Sequence, residues 1–310
     1  MKLIAPEGYE HFRCAAGACR HTCCAGWEID IDEASLARYR AMPGALGQKL
    51  RQSIMQAADG SHSFRLAEEE RCPFLRADGL CELICTLGEG SLCQVCADHP
   101  RFRHFLTDRT ELGLGLCCEA AARLMLGAPE PFRLVVLADD GGPETPTPRE
   151  GAFLRWRDAM LDTAREAGLA IDRRVSRLAA LGGVDALPEV EDMARFCMGL
   201  EQMDPAWTAL LERLLAAPAE GALPALLAAP MERLLCCLLY RHLPDALEDG
   251  MPRAHLALAL CLWRLLRALA LATGTDSLDA LCELARLCSA EIEYSQENLD
   301  ALAAWLDGRA

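Results

Sequence analysis

Apolar residues recur every three to four positions through the back half of the chain, the spacing of a helix with one buried face. Phe153, Trp156, Met160, Leu161 and Ala164 fall on one such face, and Trp207, Leu210, Leu211, Leu214 and Leu215 on another. Met231, Leu234, Leu235, Leu238 and Leu239 repeat the pattern. Breaks at LGG (181–183), AAP (216–218) and LPD (243–245) separate the segments, and TDSLDALCELARLC predicts a further helix with Asp276 as its N-cap. The longest apolar run, HLALALCLWRLLRALALA (255–272), is interrupted by Arg264 and Arg267 before it reaches the roughly 20 residues of a membrane span. It reads as a buried helix.

The front of the chain carries no such period. Gly and Pro break it at MPG (42–44), ADG (58–60), CPF (72–74), ADGL (77–80) and DHPR (98–101), which predicts loops and short elements. Residues 138–150, ADDGGPETPTPRE, mix Gly, Pro, Thr and acids without an apolar period and read as a linker or long surface loop. The expected organisation is a loop-rich cysteine domain over 1–137, that linker, and an α-helical domain over 151–310. The fold class is mostly α.

Charge narrows the partners. The formal net charge is -15, which argues against a phosphate backbone, because nucleic-acid binders concentrate basic residues on one face. It fits a cationic or lysine-bearing partner. MKLIAPEGYE lacks the apolar core of a secretory signal, so a reducing cytoplasm is the expected compartment, with no membrane span. No P-loop is present, and GLGLCC (113–118) puts Cys118 where the third glycine of a dinucleotide fingerprint would stand.

Of seventeen cysteines, eleven lie at or before Cys118. In a reducing compartment such clustering favours metal ligands over disulfides. The spacings are Cys14-x4-Cys19-x3-Cys23-Cys24, Cys72-x8-Cys81, Cys96 and Cys118, with Cys85, Cys93 and Cys117 in addition. Zinc and iron-sulfur clusters each take about four thiolates. Cys93-x2-Cys96 fits a zinc knuckle, while adjacent Cys23 and Cys24 fit two centres or one extended cluster, so both metals stay open. His21, His99 and His104 lie close enough in sequence to cysteines to be alternative ligands but read first as hydrogen-bonded or exposed imidazoles, and Trp27 reads as an apolar cover. Cys197, Cys236, Cys237, Cys261, Cys282 and Cys288 sit on or beside apolar helix faces and read as core.

The order C-x4-C-x3-CC-x2-W, RCPFL-x3-GLC (71–81), L-x3-C-x3-PR (92–101) and CEAAARL (118–124), closed by EIEYSQEN (291–298), resembles the flagellin lysine-N-methylases, within a wider group of zinc- or iron-chelating cysteine proteins. His99 and Glu119 stand where that family has an aromatic and a proline. The resemblance implies methyl transfer from S-adenosylmethionine to lysine side chains of flagellin by a protein holding an iron-sulfur cluster of the [4Fe-4S] type. It implies a ligand pool of Cys14, Cys19, Cys23, Cys24, Cys72, Cys81, Cys96 and Cys118. The alternative function is a non-enzymatic zinc- or iron-binding module with a structural or redox-sensing role.

A lysine amine attacks only when neutral, and with a reference pKa near 10.4 only about one in a few thousand is neutral at pH 7. A methylase must desolvate the amine or offer a base. Glu291, Glu293 and Tyr294 are the candidates, since alternating acids beside a phenol can hold the ammonium and take its proton. Arg101, in HPRFRH, is the candidate clamp for the donor's carboxylate, and Arg103 the weaker one.

Overall fold

A computed structural model describes residues 1–142, 144–216 and 221–307. The chain is mostly α and forms two compact units, residues 13–101 and residues 1–12 with 102–310. The expected break at AAP (216–218) lies largely outside the described residues, as does Pro143 of the 138–150 segment.

The chain opens with β1 (Lys2–Pro6) of the second unit and then leaves for the cysteine unit. There α1 (Glu33–Ala41) and α2 (Gly44–Ser53) precede a hairpin of β2 (Ile54–Gln56) and β3 (His62–Phe64), and two short helices follow, α3 (Glu82–Leu87) and α4 (Gln94–Asp98). Their core is small and aromatic: Phe64 lies between Tyr39, stacked at 5.8 Å, and Phe74, edge-on at 5.0 Å. Ile29, Ile31, Leu36, Leu50 and Leu83 complete it, together with Cys72 and Cys93. Asp32 ties two helix starts together. One of its carboxylate oxygens accepts from the Ser35 amide of α1 at 2.9 Å, the other from the Gln94 amide of α4 at 2.8 Å. Burial works against the charge, but these backbone donors win and hold the Asp32 carboxyl at about 2.

In the second unit, β4 (Arg101–Phe105) starts on the last residue of the cysteine unit and turns at Leu106 and Arg109 into β5 (Arg109–Leu114). α5 (Glu119–Leu126) and β6 (Leu134–Asp139) follow. The strands form one sheet in the order β4-β5-β1-β6, with β1 parallel to β5 (Ile4 opposite Glu111) and antiparallel to β6 (Pro6 opposite Leu134). Thus β6 claims the start of the 138–150 segment, and Thr147 claims its end as the N-cap of α6 (Pro148–Ala164). Thr147 and Glu150 form a reciprocal capping box with Pro148 in the first turn.

The remaining helices are α7 (Ile171–Gly182), α8 (Val190–Met198), α9 (Pro205–Ala216), α10 (Ala228–His242), α11 (Ala246–Asp249), α12 (Pro252–Thr273), α13 (Leu278–Cys288) and α14 (Gln296–Asp307). The expected apolar faces point inward: Phe153, Met160, Leu161 and Ala164 in α6, Trp207, Leu211 and Leu214 in α9, and Met231, Leu234, Leu235, Leu238 and Leu239 in α10 are buried, while Trp156, Leu210 and Leu215 are half-buried. The LGG break ends α7, with Gly183 in the left-handed conformation at φ 70°. The N-cap of α13 is Ser277 rather than the expected Asp276; its hydroxyl accepts from the Ala280 amide at 3.4 Å. α12 is long and apolar enough to cross a membrane, but it is buried nearly all round, and the Trp263 indole donates to the Met231 carbonyl of α10 at 2.9 Å. Cys197, Cys236, Cys261, Cys282 and Cys288 lie in this core, with Cys237 half-buried against it.

Candidate functional site

Within the cysteine unit, backbone pairing brings sulfur from distant stretches together. The Cys72 amide donates to the Cys24 carbonyl at 2.7 Å beside an Ala25–Arg71 bridge, and a Leu75–Cys81 bridge folds Cys81 back beside the turn that starts at Cys72. Cys93 stands at the N-cap of α4, with Cys96 one turn further on. Cys72 and Cys93 therefore lie in the small core of this unit, with Cys24, Cys81 and Cys96 packed against it. Trp27 packs there too. Its ring lies 5.9 Å from that of His99, and its indole donates to the Cys23 carbonyl at 2.7 Å.

The thiols sense one another. A hydrogen bond from Cys23 lowers Cys24 to about 7. Burial lifts Cys72 to about 12, with Cys24, Cys81 and Cys93 adding repulsion, and burial also raises Cys81. Cys93 and Cys96 share a hydrogen bond that lowers the first and raises the second. Among the described residues, however, no three His, Cys, Asp or Glu side chains close on a point where one ion would sit.

The other members of the expected pool are not part of that buried cluster, although Cys23 hydrogen-bonds Cys24. Cys14 is exposed, its sulfur accepting from the Ala16 amide at 3.3 Å, Cys19 is half-buried at the end of a short 3-10 turn, and Cys23 is exposed. Cys118 belongs to the second unit, where it starts α5. Of the histidines, burial holds His99 and His104 at about 4, so both are neutral at physiological pH, and His104 lies on β4 of the second unit. Arg101 is half-buried, with Nη1 a long 3.5 Å from the Ala97 carbonyl.

The three candidate proton-handling residues lie in the second unit, on or next to the π-helical turn Ser289–Glu293 that follows α13. Such turns are rare and frequent at functional sites. Glu291 is turned inward: its carboxylate accepts from the Met203 and Asp204 amides at 3.0 and 2.6 Å and secures the start of α9. Glu293 is also buried. Its carboxylate pairs with Arg241 Nε at 3.0 Å and His242 Nε2 at 2.8 Å. Burial alone would raise it, but Arg241 and His242 hold it at about 2. A carboxylate so acidic takes up a proton poorly; its position makes it an anchor for Arg241. Tyr294, by contrast, is about 36% exposed. The Arg241 guanidinium is sandwiched 4.9 Å from both the Tyr294 and Phe102 rings. The Tyr294 hydroxyl hydrogen-bonds the Cys117 thiol, which burial lifts to about 12.

Two glycines make room for this stack. A Cβ on Gly113 would overlap the Phe102 ring, and one on Gly115 would overlap the Tyr294 phenol. Gly115→Ala is therefore expected to displace Tyr294 and to cost about 1–3 kcal/mol as an overpacking change. Gly151→Ala is the control, since it meets only the Arg155 guanidinium at 3.5 Å within α6, and it should gain roughly 0.5–1 kcal/mol. Denaturant midpoints moving in opposite directions would bear this out.

Two lysine-N-methylases match the chain over 139 residues, 43% of its length: that of Salmonella choleraesuis (strain SC-B67) at 29% identity and that of Salmonella typhimurium (strain LT2) at 28%. Over that stretch the chain is similar to lysine-N-methylases. A flagellar biosynthetic protein FliU from Salmonella muenchen matches equally, at 29% over 139 residues. The match spans 35% of each lysine-N-methylase and 82% of the FliU protein. No family model and no solved structure matches.

Against this lysine-N-methylase background, the sequence reading missed Arg241, His242 and Phe102, the groups that organise Glu293 and Tyr294. Arg241 and His242 sit at the C-terminal end of α10, where basic residues are ordinarily read as complements to the helix dipole. The one sequence signal was GLGLCC, whose small residues alternate on β5 and its exit, beneath two aromatic rings.

Proposed function

We propose that this chain is a protein-lysine N-methyltransferase of the cytoplasm that moves a methyl group from S-adenosylmethionine to lysine side chains of flagellin. The cysteine unit would hold an iron-sulfur cluster of the [4Fe-4S] type. The observation that carries the reading is the similarity to lysine-N-methylases in a chain whose small front core takes in five cysteines. The donor chemistry suits a cluster, which takes cysteine thiolates one per iron corner; Cys24, Cys72, Cys81 and Cys96 would be its ligands, drawn from one buried cluster in which no three of them close on a single point. When bound, such a cluster supplies a rigid anionic iron core and a metal corner that can take oxygen and nitrogen ligands.

In the transfer, the lone pair of a neutral lysine amine forms the new N–C bond while the sulfonium C–S bond breaks. S-adenosylhomocysteine leaves, and the amine proton passes to solvent. The chain's contribution is to bind and orient. Tyr294 offers a half-exposed phenol, fixed by Arg241 and Cys117, that can accept a hydrogen bond from the incoming ammonium. Glu293 keeps Arg241 in place, and Arg101 would take the donor's carboxylate. The net charge of -15 favours approach of a lysine-bearing surface.

The test is chemical. Protein purified without oxygen and incubated with S-adenosylmethionine and unmodified flagellin is expected to add mass steps of one methyl group on flagellin lysines, with iron bound to the chain. Iron-bearing protein that leaves flagellin unchanged would refute the enzymatic reading and favour a metal-binding module, and zinc without iron would refute the cluster.

A further inference from the structure

We infer that the cleft between α1, α2 and the β2–β3 hairpin binds a small organic oxyanion, a phosphate or carboxylate group carried on an apolar body. The site is separate from the cysteines and from the methyl-transfer reading, and draws on neither.

The cleft has a volume of about 430 Å³, room for a small molecule, and is lined by Arg40, Arg51 and His62 with Ile54, Met55 and Gln56. Two guanidinium groups and an imidazole thus face it, and no carboxylate does. In a chain with 46 acidic residues against 31 lysines and arginines, such an unopposed pair stands out. Both arginines are held by groups that leave their charge standing. Arg51 Nη1 donates to the Arg40 and Met42 carbonyls at 3.2 and 2.7 Å, at the end of α1. Gly47 permits this approach, since a Cβ there would overlap the Met42 carbonyl. Arg40 Nη2 lies 3.0 Å from His62 Nε2. A guanidinium only donates, so Nε2 accepts and the ring proton sits on Nδ1 as a further donor. Gln56 stands opposite His62 in the hairpin and adds an amide on the same face. The acid of the hairpin loop, Asp59, is turned onto Ser61, accepting from its amide and hydroxyl at 2.9 and 2.7 Å. Among the described residues neither guanidinium meets a carboxylate, so each keeps its other terminal nitrogen and Nε for a ligand. Neighbouring cations without a counterion favour an anion, and guanidinium forks match phosphate and carboxylate oxygens. Ile54 and Met55 supply an apolar side that a bare inorganic ion would leave uncovered.

Calorimetric titration of the full chain with phenyl phosphate, benzoate, inorganic phosphate and benzyl alcohol tests the site. At least one of the two organic anions is expected to bind and so to identify the head group, while benzyl alcohol, the same body without the charge, does not. Inorganic phosphate should bind more weakly than phenyl phosphate. Arg40→Gln removes one charge from an exposed side chain and should weaken binding of the organic anion at least about tenfold. Arg195→Gln, which removes an exposed arginine paired with Asp192 in α8, should leave it unchanged. Binding of neither organic anion, or equal affinity in Arg40→Gln, would overturn the inference. Inorganic phosphate bound as tightly as phenyl phosphate would overturn the assignment of an apolar body. Should Arg40→Gln fold poorly, the wild type decides: phenylglyoxal labelling of Arg40 and Arg51 is read by mass with and without the organic anions, protection is expected, and equal labelling overturns the site.

Discussion

Replacing Glu111 by Gln is expected to lower the thermal unfolding midpoint by roughly 10 °C. Glu111, on β5, is fully buried and forms an ion pair with Arg157 of α6, whose side chain is 2% exposed. The Arg157 guanidinium also lies 5.8 Å from the Phe153 and Tyr240 rings. Removing one partner leaves the other charge desolvated and uncompensated, a loss of about 3–5 kcal/mol. For a unit of this size each kcal/mol moves the midpoint by about 2–4 °C. The pair is also imperfect: Glu111 Oε1 and Arg157 Nε are buried without a hydrogen-bond partner among the described residues. A double variant, Glu111→Leu with Arg157→Met, should therefore recover most of the loss or exceed the parent. Melting curves of parent, single and double variants at pH 7 check both statements, and a double variant as weak as the single would show that the charges themselves hold strand to helix.

The second large effect is expected in acid. Glu293 titrates at about 2 in the folded chain against an ordinary value of 4.5. Because its folded value is depressed, the stability it contributes is complete above about pH 4.5 and fades as the pH falls toward 2. The contribution is on the order of 3 kcal/mol. Its surroundings are the Arg241 guanidinium and His242 imidazole on the favourable side, with Cys117, Cys237, Cys288 and the Tyr294 phenol feeling its negative charge. Glu293→Gln should thus be less stable at pH 7 by about that amount and should show a flatter loss of stability between pH 4.5 and 2 than the parent. The same variant frees Arg241, which holds the Tyr294 ring, so the proposed methyl transfer should fall by on the order of a hundredfold through misplacement. Parallel acid-unfolding curves for parent and variant would show that Glu293 is not the group that titrates.

How much of this was legible from the chain depends on the range of the interaction involved. The helices α6, α9, α10 and α12 could be read from local spacing because a helix buries a face whose residues lie three and four apart. The sheet could not. Its central strand β1 pairs with β5 more than a hundred residues away and with β6 further still, and a five-residue strand buried on both sides has no period of its own to announce it. Arg157 likewise reads as the polar side of α6 until Glu111 arrives from the sheet. The reading of 138–150 as a linker followed from composition, whereas β6 and the Thr147 cap draw its two ends into ordered elements.

The amino-acid order by itself determined which residue types the chemistry draws on: the crowd of front cysteines, the acidic balance, the Glu-x-Glu-Tyr close and the helical faces of the back half. Only the tertiary structure decided which of them meet. Cys24, Cys72 and Cys81 come together because backbone bridges fold their loops onto one small core, while Glu291 is occupied capping α9 and Glu293 is occupied holding Arg241. The physical reason is that hydrogen-bond partners and desolvation set what a side chain can do. Both are supplied by residues far along the chain.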